Sequence, residues 1–308
     1  MTSDWRRDLA EGIRLSTVHL DAELKQSTTL RVGGTASCLV EVEDEGELQW
    51  LDTFAARHGL PFRIMGKGSN LLIGDGGLQG ILIRLGRAFR EVHAEPASRT
   101  ATAGAGLANA TFVERCRSAG LGGMEFLAAI PGSVGGAIAM NAGAHGAETA
   151  DFLVSVRYFQ RERGIMEKPA GELTFGYRQS PFHSGSGMFV LGGTFALSPA
   201  SDEEIRAARD RIMQYRRATQ PREWPNCGSV FKNPPGQHAA RLIQEAGLKG
   251  CRVGDAQVSE KHANFILNLG QANAADVQEL IRRIRETVLE KTGIGLELEV
   301  EVWEDRQE

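Results

Sequence analysis

Four short glycine clusters constrain this chain more than any other feature. The densest is Ile130–Asn141, IPGSVGGAIAMN, where Gly132, Gly135 and Gly136 sit among small and apolar residues beside Pro131 and Ser133. The others are RVGGTA at Arg31–Ala36, GKGSNLL at Gly66–Leu72 and GAG at Gly104–Gly106. Without a Cβ, the backbone can take positive φ and come close to a ligand or a neighbouring chain. Successive backbone N–H groups can also form an anion-binding nest, or face a phosphate from a helix N-terminus. GKGSNLL follows the apolar run Pro61–Met65, so Gly66 and Gly68 sit at the carboxyl end of a strand, with Ser69 and Asn70 beside them. The Ile130–Asn141 run fits neither G-x-G-x-x-G nor G-x-x-x-x-G-K-[ST]. One such cluster reads as a glycine-rich turn. Four of them, with Ser69, Asn70 and Asn141 alongside, predict a long phosphate-bearing cofactor lying across several loops.

Composition narrows the classes. A chain of 308 residues is long enough for two domains, and 42% hydrophobic residues is ordinary for a globular protein. A formal net charge of −4 gives no reason to expect a nucleic-acid or membrane surface, so cations for an anionic substrate must be local. No run of 18 apolar residues is present, and MTSDWRRDLAEG lacks the apolar segment of a secretory signal, so a cytoplasmic protein is expected. The oligomeric state is open, with a monomer as the starting expectation. Cys38, Cys116, Cys227 and Cys251 form no C-x-x-C and have no histidine at metal-ligand spacing, so free thiols and no metal are expected. Cys227 lies two residues before Ser229 and reads as a small residue filling a crowded turn rather than a reactive thiol.

The elements alternate along the chain. GELQWLDTFAARHG puts Leu48, Leu51, Phe54 and Ala55 on one helical face and ends at Gly59. PFRIMG and GILIRLG read as strands, and LANATFVERCRSAG as a helix. From Asp151 to Phe195 the pattern is β-rich. A charged helix follows over Asp202–Arg217, opened by a Ser201–Glu204 capping box, and SPAS at Ser198–Ser201 reads as a hinge. HAARLIQEAG is a short helix stopped at Gly247. Asn273 caps a longer helix with Val277, Leu280, Ile281, Ile284 and Val288 as its stripe, and its RRIR run reads as a solvated face paired with glutamates.

Three polar residues stand in small or apolar settings. Ser229 follows Cys227-Gly228 and precedes Val230-Phe231, as a turn residue or a proton donor held against a ligand; without a G-x-S-x-G elbow or a nearby His–Asp pair, a hydrolase triad is unsupported. Arg178 lies in FGYRQS, where an arginine beside a tyrosine is ordinarily a surface ion pair. LELEVEVWE alternates strictly, so Glu297, Glu299 and Glu301 share one strand face, and the pattern does not choose among them.

Taken together, the glycine clusters, FGYRQSPF (Phe175–Phe182), NCGSVFKNP (Asn226–Pro234), GDAQVSEKHANFILN (Gly254–Asn268) and LELEV (Leu296–Val300) resemble the UDP-N-acetylenolpyruvoylglucosamine reductase family, in the family's order. The resemblance runs from about Thr28 to Val302, and the short spacing between motifs is similar to the shorter class that lacks an inserted substrate loop. It implies an α+β fold: an FAD-binding two-subdomain unit of the vanillyl-alcohol-oxidase/PCMH type over residues 1–199 and a C-terminal α+β substrate domain over 200–308. The implied activity is NADPH-dependent reduction, through non-covalent FAD, of an enolpyruvyl ether of UDP-N-acetylglucosamine. Cofactor binding is implied for Arg31, Gly66, Gly68, Ser69, Asn70, Gly104, Gly106, Pro131, Gly132, Ser133, Gly135, Gly136, Asn141 and Gly143. By the same resemblance Ser229 protonates carbon 2, Arg178 meets the enolpyruvyl carboxylate, and Glu299, three residues after Leu296, helps stabilise the charge. Substrate binding is expected of Tyr177, Arg216, Lys232, Asn233 and His262. Relatives commonly carry basic residues where this chain has Glu301 and Thr219. An alcohol or sugar oxidase of the same flavin fold is the alternative; it would share the glycine loops and lack GSVFKNP.

Overall fold

The computed structural model describes residues 5–305. Two compact units emerge. One comprises the chain up to Leu20, Cys38–Lys67 and Gly80–Arg216; the other comprises Asp21–Ser37, Gly68–Gln79 and the chain from Arg217 onward. Three strands, Thr17–Glu23, Thr35–Val42 and Leu78–Leu85, contain a boundary, starting in one unit and ending in the other.

The described helices are α1 (Trp5–Gly12), α2 (Glu45–Arg57), α3 (Asn109–Ser118), α4 (Val134–Ala139), α5 (Asp202–Thr219), α6 (Ala239–Glu245) and α7 (Ala274–Thr292). In the first unit a five-stranded antiparallel sheet runs in the order Gly164–Pro169, Leu153–Gln160, Met188–Ala196, Thr100–Gly104, Val92–Glu95. Phe62–Met65 pairs in parallel with Leu78–Leu85 across α2, whose buried face is Leu48, Leu51, Phe54 and Ala55. Asp44 caps α2 by accepting from the Glu47 N–H, and Gly59 follows its end at φ 64°. On the sheet, Phe112 of α3 meets Phe195 with ring centroids 5.0 Å apart.

The segment read as a hinge is flanked by strand pairing and a helix cap. Ser198 and Pro199 pair antiparallel with Gly122 and Leu121, and Ser201 and Glu204 close the capping box that starts α5. Ile205 is buried and Asp202 pairs with Arg117 of α3, so α5 as far as Arg216 belongs with the first unit. In the C-terminal half of the chain the first compact unit runs as far as Arg216 and the second resumes at Arg217.

In the second unit, α7 buries Val277, Leu280, Ile281, Ile284 and Val288 in a core shared with Leu242 and Ile243 of α6 and with Phe231 and Val300. Asn273 and Asp276 form its capping box, and Gly293 ends it at φ 71°. Arg282 and Arg283 pair with Glu279, and Arg282 also with Glu286, so the basic run is an ion-paired helix face. Glu301–Trp303 pairs in parallel with Leu71–Ile73. No described helix is long and apolar enough to cross a membrane, and the described residues contain no cluster of metal-ligating side chains.

A buried asparagine joins the pieces of this unit where strand pairing stops. Asn264 is 4% exposed. Its side chain accepts from the Phe231 N–H at 2.9 Å and donates to the Phe231 carbonyl at 2.8 Å, and its own carbonyl accepts from the Val230 N–H. Replacing Asn264 with alanine strands a buried N–H and a buried C=O, each costing about 1–3 kcal/mol. Asn264→Ala is therefore expected to lower stability by about 2–4 kcal/mol, read as a lower urea midpoint at unchanged slope.

The cores also hide three of the four thiols. Cys38, Cys116 and Cys227 are buried and Cys251 is half-buried. Burial pushes Cys116 and Cys227 up to about 12, with the Glu299 charge adding to the effect at Cys227. Alkylation of the native protein at pH 8 is expected to modify Cys251 first, and peptide mass spectrometry reads this directly. Early labelling of Cys227 would show that this thiol is far more accessible than its packing.

Candidate active site

Two of the four glycine clusters lie wholly in the first unit, together with Gly66 of a third, and those two are laced together by their backbones. Ser133 bridges Ala108, the Asn109 N–H donates to the Gly132 carbonyl, and the Val134 and Gly135 N–H groups donate to Leu107 and Ala105. A Cβ on Gly135 would sit 2.6 Å from the Ala105 Cβ, and one on Gly66 would sit 2.9 Å from the Ser133 Oγ. Such distances leave glycine as the residue that fits. The Gly136 N–H is taken by the Ser133 side chain at 3.3 Å. The first three amides of α4 are thus engaged within the protein, so the α4 N-terminus is not the open anion site that the sequence suggested; its glycines serve close backbone approach.

The residues fit a flavin nucleotide on two counts. The loops at Gly66, Gly104–Gly106 and Gly132–Gly136 present backbone rather than side chains. Beside them, Asn109 donates from Nδ2 to the Ile130 carbonyl at 3.0 Å while its buried Oδ1 has no protein partner among the described residues. An acceptor left this way is matched by a donor on a bound group or by water. The sequence reading missed Asn109, which has no motif of its own.

The remaining candidates of the glycine set divide. Gly68 and Arg31 belong to the second unit, where the Thr29 N–H donates to the Gly68 carbonyl and the Asn268 side chain donates to the Leu30 and Arg31 carbonyls. Asn70 turns its side chain to the backbone: Nδ2 donates to the Glu299 carbonyl at 2.9 Å, and the Asn70 carbonyl accepts from the Glu301 N–H at 3.0 Å. Asn141 is 1% exposed and bonded throughout to protein.

Arg178 occupies a tight turn. Gly176 and Gln179 exchange two backbone hydrogen bonds of 3.1 and 3.0 Å, and Arg178 between them takes φ 55°. Its guanidinium donates to the Gly143 carbonyl at 3.0 Å and, at 3.5 Å, to the Asn141 carbonyl, and lies 5.1 Å from the Tyr177 ring centre. Ser180 anchors the turn by donating to the Ala139 carbonyl at the end of α4. Arg178 is thus held by backbone carbonyls and an aromatic face. His145 packs edge-on against Tyr215 at 5.3 Å, and Arg216 lies in the last turn of α5.

Ser229 and Glu299 come together in the second unit. Glu299 and Val300 both donate their N–H to the Val230 carbonyl, at 2.8 and 3.3 Å. This double acceptance breaks the even strand expected over Leu296–Val302: only Glu301–Trp303 is regular strand, and Leu298 forms an isolated bridge with Phe231. The break separates the three glutamates. Glu297 has an 80% exposed side chain, with Lys232 Nζ 3.7 Å away. Glu301 accepts from the Trp303 indole at 3.1 Å. Glu299 is half-buried on the chain beside Ser229 and near Cys227. Ser229 is half-buried after Gly228 at φ 80°.

The secondary candidates are more committed than the sequence implied. Asn233 Oδ1 accepts from the Ala239 N–H and caps α6. His262 packs edge-on to Phe265 at 4.8 Å, and its buried Nδ1 lacks a protein partner among the described residues. Burial, helped by the charge of Lys249, holds the His262 imidazole below its usual range, so it is neutral at pH 7.

The C-terminal domain of UDP-N-acetylenolpyruvoylglucosamine reductase matches residues 220–303, and an FAD binding domain matches residues 36–167. A UDP-N-acetylenolpyruvoylglucosamine reductase of Moorella thermoacetica is 46% identical over 96% of both chains. A second, from Symbiobacterium thermophilum, is 45% identical over 91% of this chain and 90% of that one. The crystal structure of the Thermus caldophilus enzyme superposes with a TM-score of 0.80, at 42% identity, over 94% of this chain and 99% of the other. A glucose oxidase variant of Phl p 4 has a TM-score of 0.51 at 13% identity over 95% of this chain and 59% of that one, a likeness of fold alone. With the glycine loops, the Arg178 turn and the Ser229–Glu299 pair in place, and identity of this extent over nearly the whole length, the chain belongs to the UDP-N-acetylenolpyruvoylglucosamine reductase family of FAD-dependent oxidoreductases.

Proposed function

We propose that this chain reduces the enolpyruvyl ether of UDP-N-acetylglucosamine to UDP-N-acetylmuramate, in peptidoglycan precursor synthesis, with NADPH as reductant and non-covalent FAD, and that Arg178, Ser229 and Glu299 act on the substrate. The observation behind the assignment of roles is the pairing of the Glu299 and Val300 N–H groups with the Val230 carbonyl, which runs the chain at Glu299 alongside the residue that follows Ser229. When bound, FAD supplies the hydride chemistry between NADPH and carbon 3 of the enolpyruvyl group.

The chain's residues do the rest. Gly66, Gly104–Gly106 and Pro131–Gly136 would wall the FAD with backbone; Arg31, Gly68, Ser69, Asn70 and Gly143 are further residues that the resemblance assigns to the cofactor. The Arg178 guanidinium presents its fork to the substrate carboxylate and stabilises the negative charge that spreads there from carbon 2. Glu299 shares a proton with that developing enolate. Ser229 delivers the proton to carbon 2; a hydroxyl is a weak acid, so its use depends on fixed geometry. The clamp of Asn264 on Val230 and Phe231 supplies that geometry one residue away. Tyr177, Arg216, Lys232 and neutral His262 are assigned to the sugar and diphosphate, and Asn233 to the turn that presents Lys232.

Two tests follow. Acid precipitation of the purified yellow protein is expected to release its flavin into the supernatant, since His145, the one candidate for a covalent link, packs against Tyr215. Flavin retained in the pellet contradicts the non-covalent assignment. Ser229→Ala is expected to keep FAD binding and reduction by NADPH nearly intact. Its anaerobic reoxidation by the enolpyruvyl substrate should slow by about 100- to 10,000-fold, the usual worth of a general acid. Stopped-flow absorbance resolves the two steps, and a wild-type reoxidation rate in this variant removes Ser229 as the acid.

A further inference from the structure

We propose that Asn141 is a positioning residue for Arg178, acting through the turn that carries the guanidinium rather than on the cofactor. The proposal rests on the role assigned above to Arg178. Every polar group of Asn141 is spent on the protein. Both amide hydrogens leave Nδ2, one to Glu148 Oε2 at 2.7 Å and one to the Gly176 carbonyl at 3.0 Å. Oδ1 accepts from the Ala150 N–H at 2.9 Å, and the backbone N–H donates to Ile138. The backbone carbonyl accepts from Arg178 itself.

These bonds meet at one place. Gly176 is the first residue of the Arg178 turn, and its carbonyl also accepts the Gln179 N–H that closes the turn. The second guanidinium contact, the Gly143 carbonyl, lies two residues after Asn141, in a short hairpin in which Gly143 pairs with Glu148. Asn141 thus fixes the base of the turn, one carbonyl that receives the guanidinium and, through Glu148, the strand opposite the other. Its φ of 40° suits asparagine, whose short amide side chain tolerates the left-handed region better than most residues.

Aspartate at this position keeps the shape and removes both donors, turning two attractions, to Glu148 and to the Gly176 carbonyl, into repulsions. A displacement of the Arg178 guanidinium by about 1 Å is enough to cost about 100-fold in rate. The expected result for Asn141→Asp holoenzyme is therefore about 100-fold slower reoxidation by the enolpyruvyl substrate, with bound flavin content and reduction by NADPH within a few-fold of wild type. Adding Glu148→Gln supplies an amide donor opposite the new carboxylate, and the double variant should recover about tenfold, as a restored hydrogen bond of about 1.4 kcal/mol would give. Glu148→Ala alone, the milder change, should slow the same step by a smaller factor and serves if Asn141→Asp does not fold. Loss of flavin, or equal loss in both half-reactions without rescue, overturns the proposal and makes Asn141 a cofactor-holding or purely structural residue. Arg178→Ala run beside them separates the layers. If it reoxidises normally, the role of Arg178 fails; if it is slow while the Asn141 and Glu148 variants are normal, only the positioning role fails.

Discussion

The first unit depends on a close approach between two backbones, that of Ala105–Asn109 and that of Gly132–Gly135. Three backbone hydrogen bonds hold them together, and the Cβ-free Gly135 lets Ala105 lie against it. Because those contacts consume the amides at the start of α4, the helix is fixed at its head, and its far end is fixed in turn. Ser180 reaches Ala139 there, and Asn141 follows directly. The cofactor loops and the Arg178 turn are therefore two ends of one short helix, and the placement of the guanidinium is inherited from packing that begins at the glycines.

The second unit uses a different device for the same end. Ser229 and Glu299 are not carried by one regular element. The Val230 carbonyl takes two N–H donors from Glu299 and Val300, Asn264 supplies a side-chain amide where a strand would supply a peptide, and Asn70 holds the Glu299 carbonyl from a point 229 residues earlier in the chain. Each is a buried hydrogen bond whose loss leaves an unsatisfied partner, which is the costly side of the balance. Irregular backbone at this place is thus held by asparagines, the side chain closest in chemistry to the backbone itself.

What was legible in the sequence was local. The stripe of α7, the Asn273 and Ser201 capping boxes, the Gly59 stop and the paired face of Arg282 and Arg283 are all settled within a few residues of themselves, and the structure has each of them. The motifs around Arg178, Ser229 and Glu299 were legible by resemblance. The differing surroundings of the three glutamates were not, because they depend on an irregularity in the strand at the distant Val230 carbonyl. Neither was the interleaving of the units: Gly68–Gln79 joins the C-terminal unit through parallel pairing of Leu71–Ile73 with Glu301–Trp303, a partnership with no local signature. The purely supporting asparagines, Asn264 and Asn268, lay inside a quoted motif with nothing in their spacing to set them apart from ligand-binding ones.

Arg178 sits in the left-handed region at φ 55°, where a side chain with a Cβ costs about 1–2 kcal/mol that glycine does not. The turn would close more comfortably without the one side chain it presents. On the substrate role proposed for Arg178, stability and chemistry therefore pull in opposite directions at this residue. Selection for thermal resistance alone would drift toward glycine or asparagine here, trading the guanidinium for a relaxed backbone, and a sturdier fold reached by that route would be a poorer catalyst.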